Sequence, residues 1–331
     1  MSYTLYLQTH SQDPAYNLAF EEYVLQHYRQ GNILILWQND NSVIVGRNQN
    51  AAEEINQSFT QAHNIKVVRR NTGGGTVYHD LGNLNYSFIT DAEGVDKETI
   101  RLFLDPVVEA LQSLGLEAQA SGRNDILVSG KKVSGTAQQL SKGRLLHHGT
   151  LLFDADPGMI QGALNPDPTK FQSKSVKSVR SRVGNIRDFL AVDMDILAFW
   201  NYLKEQLTAG DMQEHSLTES ELQEIRDLKA QKYDTWEWNF GKSPKYDMAN
   251  RIRWDGGLVD VRLSVSAGTI TALHIFGDFL ALQPLEELES RLTGCPYQRS
   301  ALEKALQDFP VEAYLGSVGR EELLSTILNE K

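Results

Sequence analysis

The sequence predicts an α+β chain: a mixed or mostly antiparallel sheet with packed helices, followed by a small α+β accessory domain. Three observations lead there. Strand-like runs follow one another through short Gly-containing turns instead of alternating with helices, which disfavours a doubly wound parallel sheet. The 331 residues exceed one domain, at roughly 100–200 residues each. Periodicity breaks at Trp236-Glu237-Trp238-Asn239-Phe240-Gly241-Lys242-Ser243-Pro244, which reads as a segment anchored on one body and released into a linker. The boundary is expected at 243–247, with one body over 1–243 and the accessory domain over 247–331.

Each element has a local reason. Tyr3–Thr9 and Asn32–Trp37 read as strands around a helix that starts at Asp13-Pro14, an N-cap followed by Pro at the first helical position. Tyr16, Phe20, Tyr23, Val24 and His27 form its expected apolar face, and Gly31 follows its end. Ser42–Val45, Ile65–Arg69 and Leu84–Ile89 are β-branched, alternating strand candidates. A helix over Lys97–Leu114 stops at Gly115, and strands follow near Ile126–Val128, Lys132–Gln139 and Arg144–Phe153. Beyond Phe189 the pattern is helical, and Thr218 with Glu221 forms a capping box. In the accessory domain, strands are expected at Met248–Trp254, Leu258–Ser264 and Thr269–Phe276. Helical segments follow near Leu285–Leu292, Ser300–Gln307 and Arg320–Asn329. Nothing in this unit gathers reactive groups, so it reads as a packing or gating module.

A net charge of −11 argues against coating a polyanion such as DNA. The single cysteine, Cys295, excludes a disulfide framework and any multi-cysteine metal site, and fits a reducing, cytoplasmic setting. No apolar run approaches a bilayer span and the N-terminus lacks a basic signal region, so neither membrane nor export is expected.

Four segments concentrate chemistry. Arg69-Arg70-Asn71-Thr72-Gly73-Gly74-Gly75-Thr76-Val77-Tyr78-His79-Asp80 removes every Cβ from three successive residues beside two guanidinium groups, as an oxyanion cradle would. It is neither a P-loop nor a dinucleotide fingerprint, since the residues after the glycines are strand-like rather than a helix N-terminus. Gly122-Arg123-Asn124-Asp125 leads into a hairpin turned at Ser129-Gly130, whose return arm carries Lys131 and Lys132 on opposite faces. Small residues after it, Ser134 to Ala137, leave room for a ligand, and Asn124 and Asp125 offer oxygens to a metal–phosphate group. His147 and His148 adjoin on a strand and must face opposite sides, so they are a poor bidentate metal pair. Lastly, Lys170, Lys174, Lys177, Arg180, Arg182 and Arg187 alternate with Ser173, Ser175, Ser178 and Ser181, as in a cationic flap.

Together these motifs resemble the lipoate–protein ligases. The match runs through R-R-x-x-G-G-G-x-V-x-H-D-x-G-N-x-N, G-R-N-D, G-K-K-V-S-G-T-A, H-H-G-T-L-L, L-N-P, S-V-R-S-R-V and F-G-K-S-P, in the family's order and spacing. The resemblance implies a catalytic domain related to biotin protein ligases and a two-step reaction. Lipoate and Mg2+-ATP give lipoyl-AMP and pyrophosphate, and the acyl group then passes to a lysine of a carrier. The carriers implied are the lipoyl domains of 2-oxoacid dehydrogenase acyltransferase subunits and the glycine-cleavage H protein, with the enzyme a monomer. By motif, Lys132 is the catalytic cation. Arg70, Gly73, Gly74, Gly75, Thr76, Val77, Tyr78, Asn124, Asp125, Lys132, Ser178, Arg180 and Ser181 fall on the adenylate site, Asp125 also as a Mg2+ ligand. Glu21, Trp37, His79, Gly135, Ala137 and His148 fall on the lipoyl tunnel together with Arg70, Gly75 and Lys132.

Two alternatives compete. An octanoyl or lipoyl transferase of the same fold works through a thiol in the catalytic domain, and Cys295 lies in the accessory domain. A ligand-sensing repressor would carry a helix-turn-helix ahead of the catalytic body, where strand-like residues instead begin at Tyr3.

Overall fold

A computed structural model describes residues 5–92, 99–122, 124–164, 183–208, 213–241, 248–266 and 268–329. Fourteen strands are named here in chain order. They are β1 (Leu5–Gln8), β2 (Ile33–Trp37), β3 (Ser42–Val45), β4 (Lys66–Arg69), β5 (Val77–His79), β6 (Asn83–Asp91), β7 (Ala118–Ser121), β8 (Asp125–Val128), β9 (Lys131–Ser141), β10 (Arg144–Leu152), β11 (Gln213–Glu214), β12 (Met248–Trp254), β13 (Gly257–Ser266) and β14 (Thr269–Gly277). The main sheet has eight strands in the order β11-β1-β2-β6-β10-β9-β8-β7. Only β1–β2 and β1–β11 pair parallel within it, so the expected mixed, mainly antiparallel sheet is present.

Alternation along β2 sorts the core. Leu34 and Leu36 join Tyr86, Phe88, the helix Thr99–Ser113 and the helix Ile196–Thr208 on one face. Ile33, Ile35 and Trp37 face the helix Pro14–His27 and a second, three-stranded sheet, β4-β3-β5. Asp13 caps that helix, its carboxylate accepting from Ala15 N at 3.3 Å. The expected apolar face holds for Phe20, Tyr23 and Val24, but Tyr16 is half-buried and His27 is exposed. Asn17, Leu18, Glu21, Glu22 and Leu25 are buried as well, because the helix is clasped between sheet and C-terminal segments.

The predicted hairpin turn is present, with Ser129 and Gly130 both left-handed at φ 47° and 78°. The capping box at Thr218 and Glu221 is also formed, and its helix, Glu219–Leu228, continues as a π-turn over Lys229–Tyr233. Residues 248–329 build a separate core on the antiparallel sheet β12-β13-β14 and the helices behind it. A short helix, Val311–Leu315, was not anticipated there. The linker at 243–247 lies outside the described residues. Among the described residues no helix is long and apolar enough to cross a membrane.

Candidate functional site

The space between the two sheets of the N-terminal body holds a cavity of about 230 Å³. Its floor is one face of the main sheet, where Trp37 pairs with Asn85, Asn85 with Thr150, and His148 with Ser87 and Ala137. Its roof comes from Ile44 of β3, from Val77 and His79 of β5, and from the glycine loop.

Lys132 reaches this cavity because of a defect in the ladder. Ile126 opposes Ser134, but Leu127 opposes Lys132, so Val133 is an extra, bulged residue. Strict alternation would put Lys132 on the face opposite Gly135; the bulge turns it to the same face, while Val133 stays in the core. A Cβ on Gly135 would lie 3.2 Å from the Lys132 ammonium, which therefore rests directly above that glycine. Asp125 Oδ1 receives a hydrogen bond from Lys132 Nζ at 2.7 Å. The expected metal ligand is thus first the ion-pair partner of Lys132. Asn124 donates to Thr136 O at 2.7 Å and also lines the cavity.

The arginine pair behaves differently from a phosphate clamp. Arg69 is fully buried and spends its guanidinium on the carbonyls of Gly46, Arg47, Gln49, Trp238 and Asn239. Arg70 lines the cavity, but it donates to Thr72 Oγ1, Ile44 O, Gly73 O and Gly75 O. Drawing both glycine carbonyls toward itself fixes the loop, so Arg70 shapes the cradle. Burial pushes both guanidinium groups down to about 10, which leaves them charged at neutral pH.

Arg70 is balanced by Glu21 through a buried relay. His148 Nδ1 donates to Glu21 Oε1 at 2.9 Å, Thr72 Oγ1 donates to His148 Nε2 at 2.8 Å, and Arg70 Nε donates to Thr72 Oγ1 at 2.9 Å. Glu21 also accepts from Ser87 Oγ at 2.5 Å, and Ser87 from Trp37 Nε1 at 2.9 Å. Cation and carboxylate are thus linked inside the protein by hydrogen-bonded groups, the condition under which buried charges are tolerated. Glu21 stands behind His148 and does not line the cavity.

Among the other expected site residues, Gly74, Gly75, Thr76, Val77, His79, Gly135, Ala137 and His148 all line the cavity. Tyr78 does not: alternation along β5 turns it away, and its hydroxyl donates to Asn41. Gly73 is taken by the C-terminal domain, where an added Cβ would lie 2.8 Å from Phe279 O. Gly74 is left-handed at φ 86° and donates its N–H to that same carbonyl at 3.1 Å, so this amide is not the free donor the sequence suggested. Ser178, Arg180 and Ser181 lie outside the described residues. Leu18, Ile44, Asn85, Gly149 and Thr150 also line the cavity but went unread, although the motifs spanned three of them. His147 faces the opposite core, as expected, stacked on Phe103 at 4.9 Å.

The C-terminal domain is tied to this region by Gly277 N to Asn48 O, Leu140 N to Leu282 O, and the Arg47–Glu286 ion pair. A larger cavity of about 420 Å³ lies between the two bodies and meets the first at Asn124, Thr136 and Ala137.

Comparison with known proteins supplies the family. Residues 13–208 match the lipoyl protein ligase A/B catalytic domain, and residues 243–327 match the bacterial lipoate protein ligase C-terminus. Lipoate–protein ligase 1 of Staphylococcus aureus is 42% identical over 94% of this chain and 96% of its own. Lipoate–protein ligase LplJ of Bacillus subtilis is 41% identical over 95% and 97%. Among solved structures, P. falciparum LipL1 in complex with lipoate superposes with a TM-score of 0.83 at 26% identity, covering 99% of this chain and 100% of that one. A bipartite lipoate–protein ligase of Thermoplasma acidophilum, described with its E2 lipoyl domain, gives 0.65 at 34% identity over 75% and 100%. A lipoate–protein ligase A bound with ATP gives 0.64 at 32% identity over 73% and 99%. Near-full-length matches of this strength decide the matter: the chain is an enzyme of the lipoate–protein ligase family, with catalytic and C-terminal domains on one polypeptide.

Proposed function

We propose that the enzyme activates free lipoate with Mg2+-ATP and transfers the acyl group to a lysine of a carrier lipoyl domain. The observation that carries this reading is the bulged Lys132, an ammonium held by Asp125 at a cavity narrow enough for an acyl chain. In the first step a carboxylate oxygen of lipoate attacks the α-phosphorus, the bond to the β-phosphate bridging oxygen breaks, and pyrophosphate leaves. Two anions must meet, so a fixed cation where charge accumulates lowers the barrier. In the second step the carrier's ε-amine attacks the acyl carbon, the carbon–oxygen bond to AMP breaks, and the amine's proton is released. Lys132 can stabilise the oxyanion formed on the way.

The nucleotide is assigned to Gly75, Thr76, Val77, Asn124 and Lys132, with Ser178, Arg180 and Ser181 from outside the described residues; the buried Tyr78 would contribute backbone only. Mg2+ would arrive with ATP. Among the described residues no group of three or more His, Cys, Asp or Glu side chains gathers to hold an ion. Asp125 and Asn124 fit as its one or two protein ligands beside phosphate oxygens, the usual arrangement for this ion. When bound it neutralises phosphate charge. The T. acidophilum relative is described with its E2 lipoyl domain, which supports 2-oxoacid dehydrogenase acyltransferases as carriers; we propose these and the glycine-cleavage H protein, with a monomeric cytoplasmic enzyme.

The thioester alternative lacks support, since Cys295 packs in the C-terminal domain with its thiol directed to Arg291 O. The test is mass spectrometry of candidate carriers incubated with ATP and lipoate. ATP-dependent addition of one lipoyl group, reduced about a hundred- to a thousandfold in Lys132→Ala, is expected. Unchanged turnover in that variant, or transfer without ATP, would reject the assignment.

A further inference from the structure

The cavity contains two buried donors for which the two steps above have no use. His79 is 3% exposed and its Nε2 has no partner; Asn85 is 1% exposed and its Nδ2 has none. Both line the cavity, His79 from the small sheet and Asn85 from the large one, so they face it from opposite walls. The proton on His79 can be located from its neighbours. Asn17 Nδ2 lies within hydrogen-bond distance of Ser11 O, Gln38 O and, at 2.9 Å, Asn39 Oδ1, its two hydrogens shared among the three oxygens. Asn39 must then present its amide nitrogen to His79 Nδ1, 3.0 Å away. Nδ1 is the acceptor, and the unpartnered Nε2 carries the hydrogen. Burial, with the Arg70 guanidinium nearby, pushes this imidazole down to about 3, so it stays neutral with a single N–H.

Buried donors without partners are costly and uncommon, so a ligand atom is the natural acceptor. The strand order says which atom. Gly135, beneath the Lys132 ammonium, bonds to Thr150, and Thr150 pairs with Asn85. Two strand spacings separate Gly135 from Asn85, roughly 9–10 Å. A lipoyl chain from carboxyl carbon to ring sulfur covers a similar length, roughly 9 Å at ordinary bond lengths. With the carboxyl at Lys132, the heteroatoms that reach the far end are the two sulfurs, which are weak acceptors. A plain alkyl acid offers only C–H there and leaves both donors unpaired.

We infer that His79, assisted by Asn85, is the residue by which this enzyme prefers a dithiolane-bearing acid to an alkyl acid of equal length. The inference rests on the lipoate-activating reading above. Its test is kcat/KM for lipoate and for octanoate, with ATP and a lipoyl domain, in the full chain and in His79→Leu and His79→Gln. The lipoate-to-octanoate ratio should fall about tenfold in His79→Leu, the size of one weak buried hydrogen bond. It should hold within about threefold in His79→Gln, which keeps an N–H. A ratio is insensitive to the fraction of a variant that folds. Should His79→Leu yield no soluble protein, wild-type chain labelled with 15N-histidine serves instead. Lipoate, and not octanoate, should shift the His79 Nε2–H resonance. An unchanged ratio in His79→Leu, or equal shifts with both acids, overturns the inference while leaving the ligase reading intact. Turnover of neither acid by the wild type overturns both.

Discussion

Replacing Arg69 by methionine separates a structural cation from a ligand-binding one. The side chain is 0% exposed. Its nitrogens donate to five carbonyls, with Gln49 O at 2.6 Å, Gly46 O at 2.8 Å, and Arg47, Trp238 and Asn239 O at 3.0 Å each. Its own backbone joins in, N donating to Asn239 Oδ1 and O accepting from Trp238 Nε1, both at 2.8 Å. One residue therefore staples the segment 46–49 and the segment 238–239 to β4. Methionine fills a similar volume and strands the carbonyls. Each stranded acceptor costs about 1–3 kcal/mol when sealed from water, but the Trp238 and Arg47 oxygens lie where water can enter, and desolvation of a guanidinium is relieved. The net loss should be about 3–5 kcal/mol, as for breaking other buried charged networks. At about 2–4 °C per kcal/mol for a body of this size, Tm should drop by roughly 10 °C. Urea unfolding followed by tryptophan fluorescence reads the loss, with Trp238 at the perturbed site. KM for ATP, measured well below the new Tm, should change less than about threefold. A stability loss under about 1 kcal/mol together with a large rise in that KM would mean the guanidinium serves phosphate after all.

Two further outcomes are set by the geometry. Gly135→Ala places a methyl 3.2 Å from the Lys132 ammonium and 3.3 Å from its Cε. The lysine must shift by a few tenths of an ångström, so kcat should fall about 10- to 100-fold with Tm nearly unchanged; equal kcat would show that the ammonium's position above Gly135 is immaterial. Burial pushes both His79 and His147 from 6.5 down to about 3. The unfolded chain then binds more protons below the ordinary value, so stability is full above about pH 6.5 and falls as pH drops toward the folded values. Two such groups together should remove about 2 kcal/mol between about pH 6.5 and pH 5.5. A urea midpoint that stays flat over that interval would refute their neutrality.

What the sequence revealed depended on how local the cause was. The Asp13 cap, the Ser129-Gly130 turn and the Thr218 box are decided by residues a few positions apart, and each was legible. Lys132 was legible as a residue but not as a geometry. Nothing in Lys131-Lys132-Val133-Ser134 marks Val133 as bulged, because the bulge is a relation to Ile126 and Leu127 on the neighbouring strand. Asn85 went unread for a related reason: its value is that an opposing wall, built from β3 and β5, leaves its amide without a partner. Arg69 and Arg70 look alike in sequence and both donate to carbonyls, but adjacency at a strand end leaves only Arg70 lining the cavity.

The glycine loop exposes the deepest ambiguity. An absent Cβ signals that some backbone or oxyanion comes close, and it cannot say whose. Gly75 fits the ligand reading, lining the cavity with its carbonyl held by Arg70. Gly73 meets the C-terminal domain instead, leaving room for Phe279 O and Ala281 N, and Gly74, which also lines the cavity, donates to Phe279 O. The motif that pointed most strongly to a nucleotide is therefore also the seat of the accessory domain. Any ligand that claims the Gly74 amide must first take it from Phe279, and so couples the cradle to the domain that the sequence alone reads as a packing or gating module.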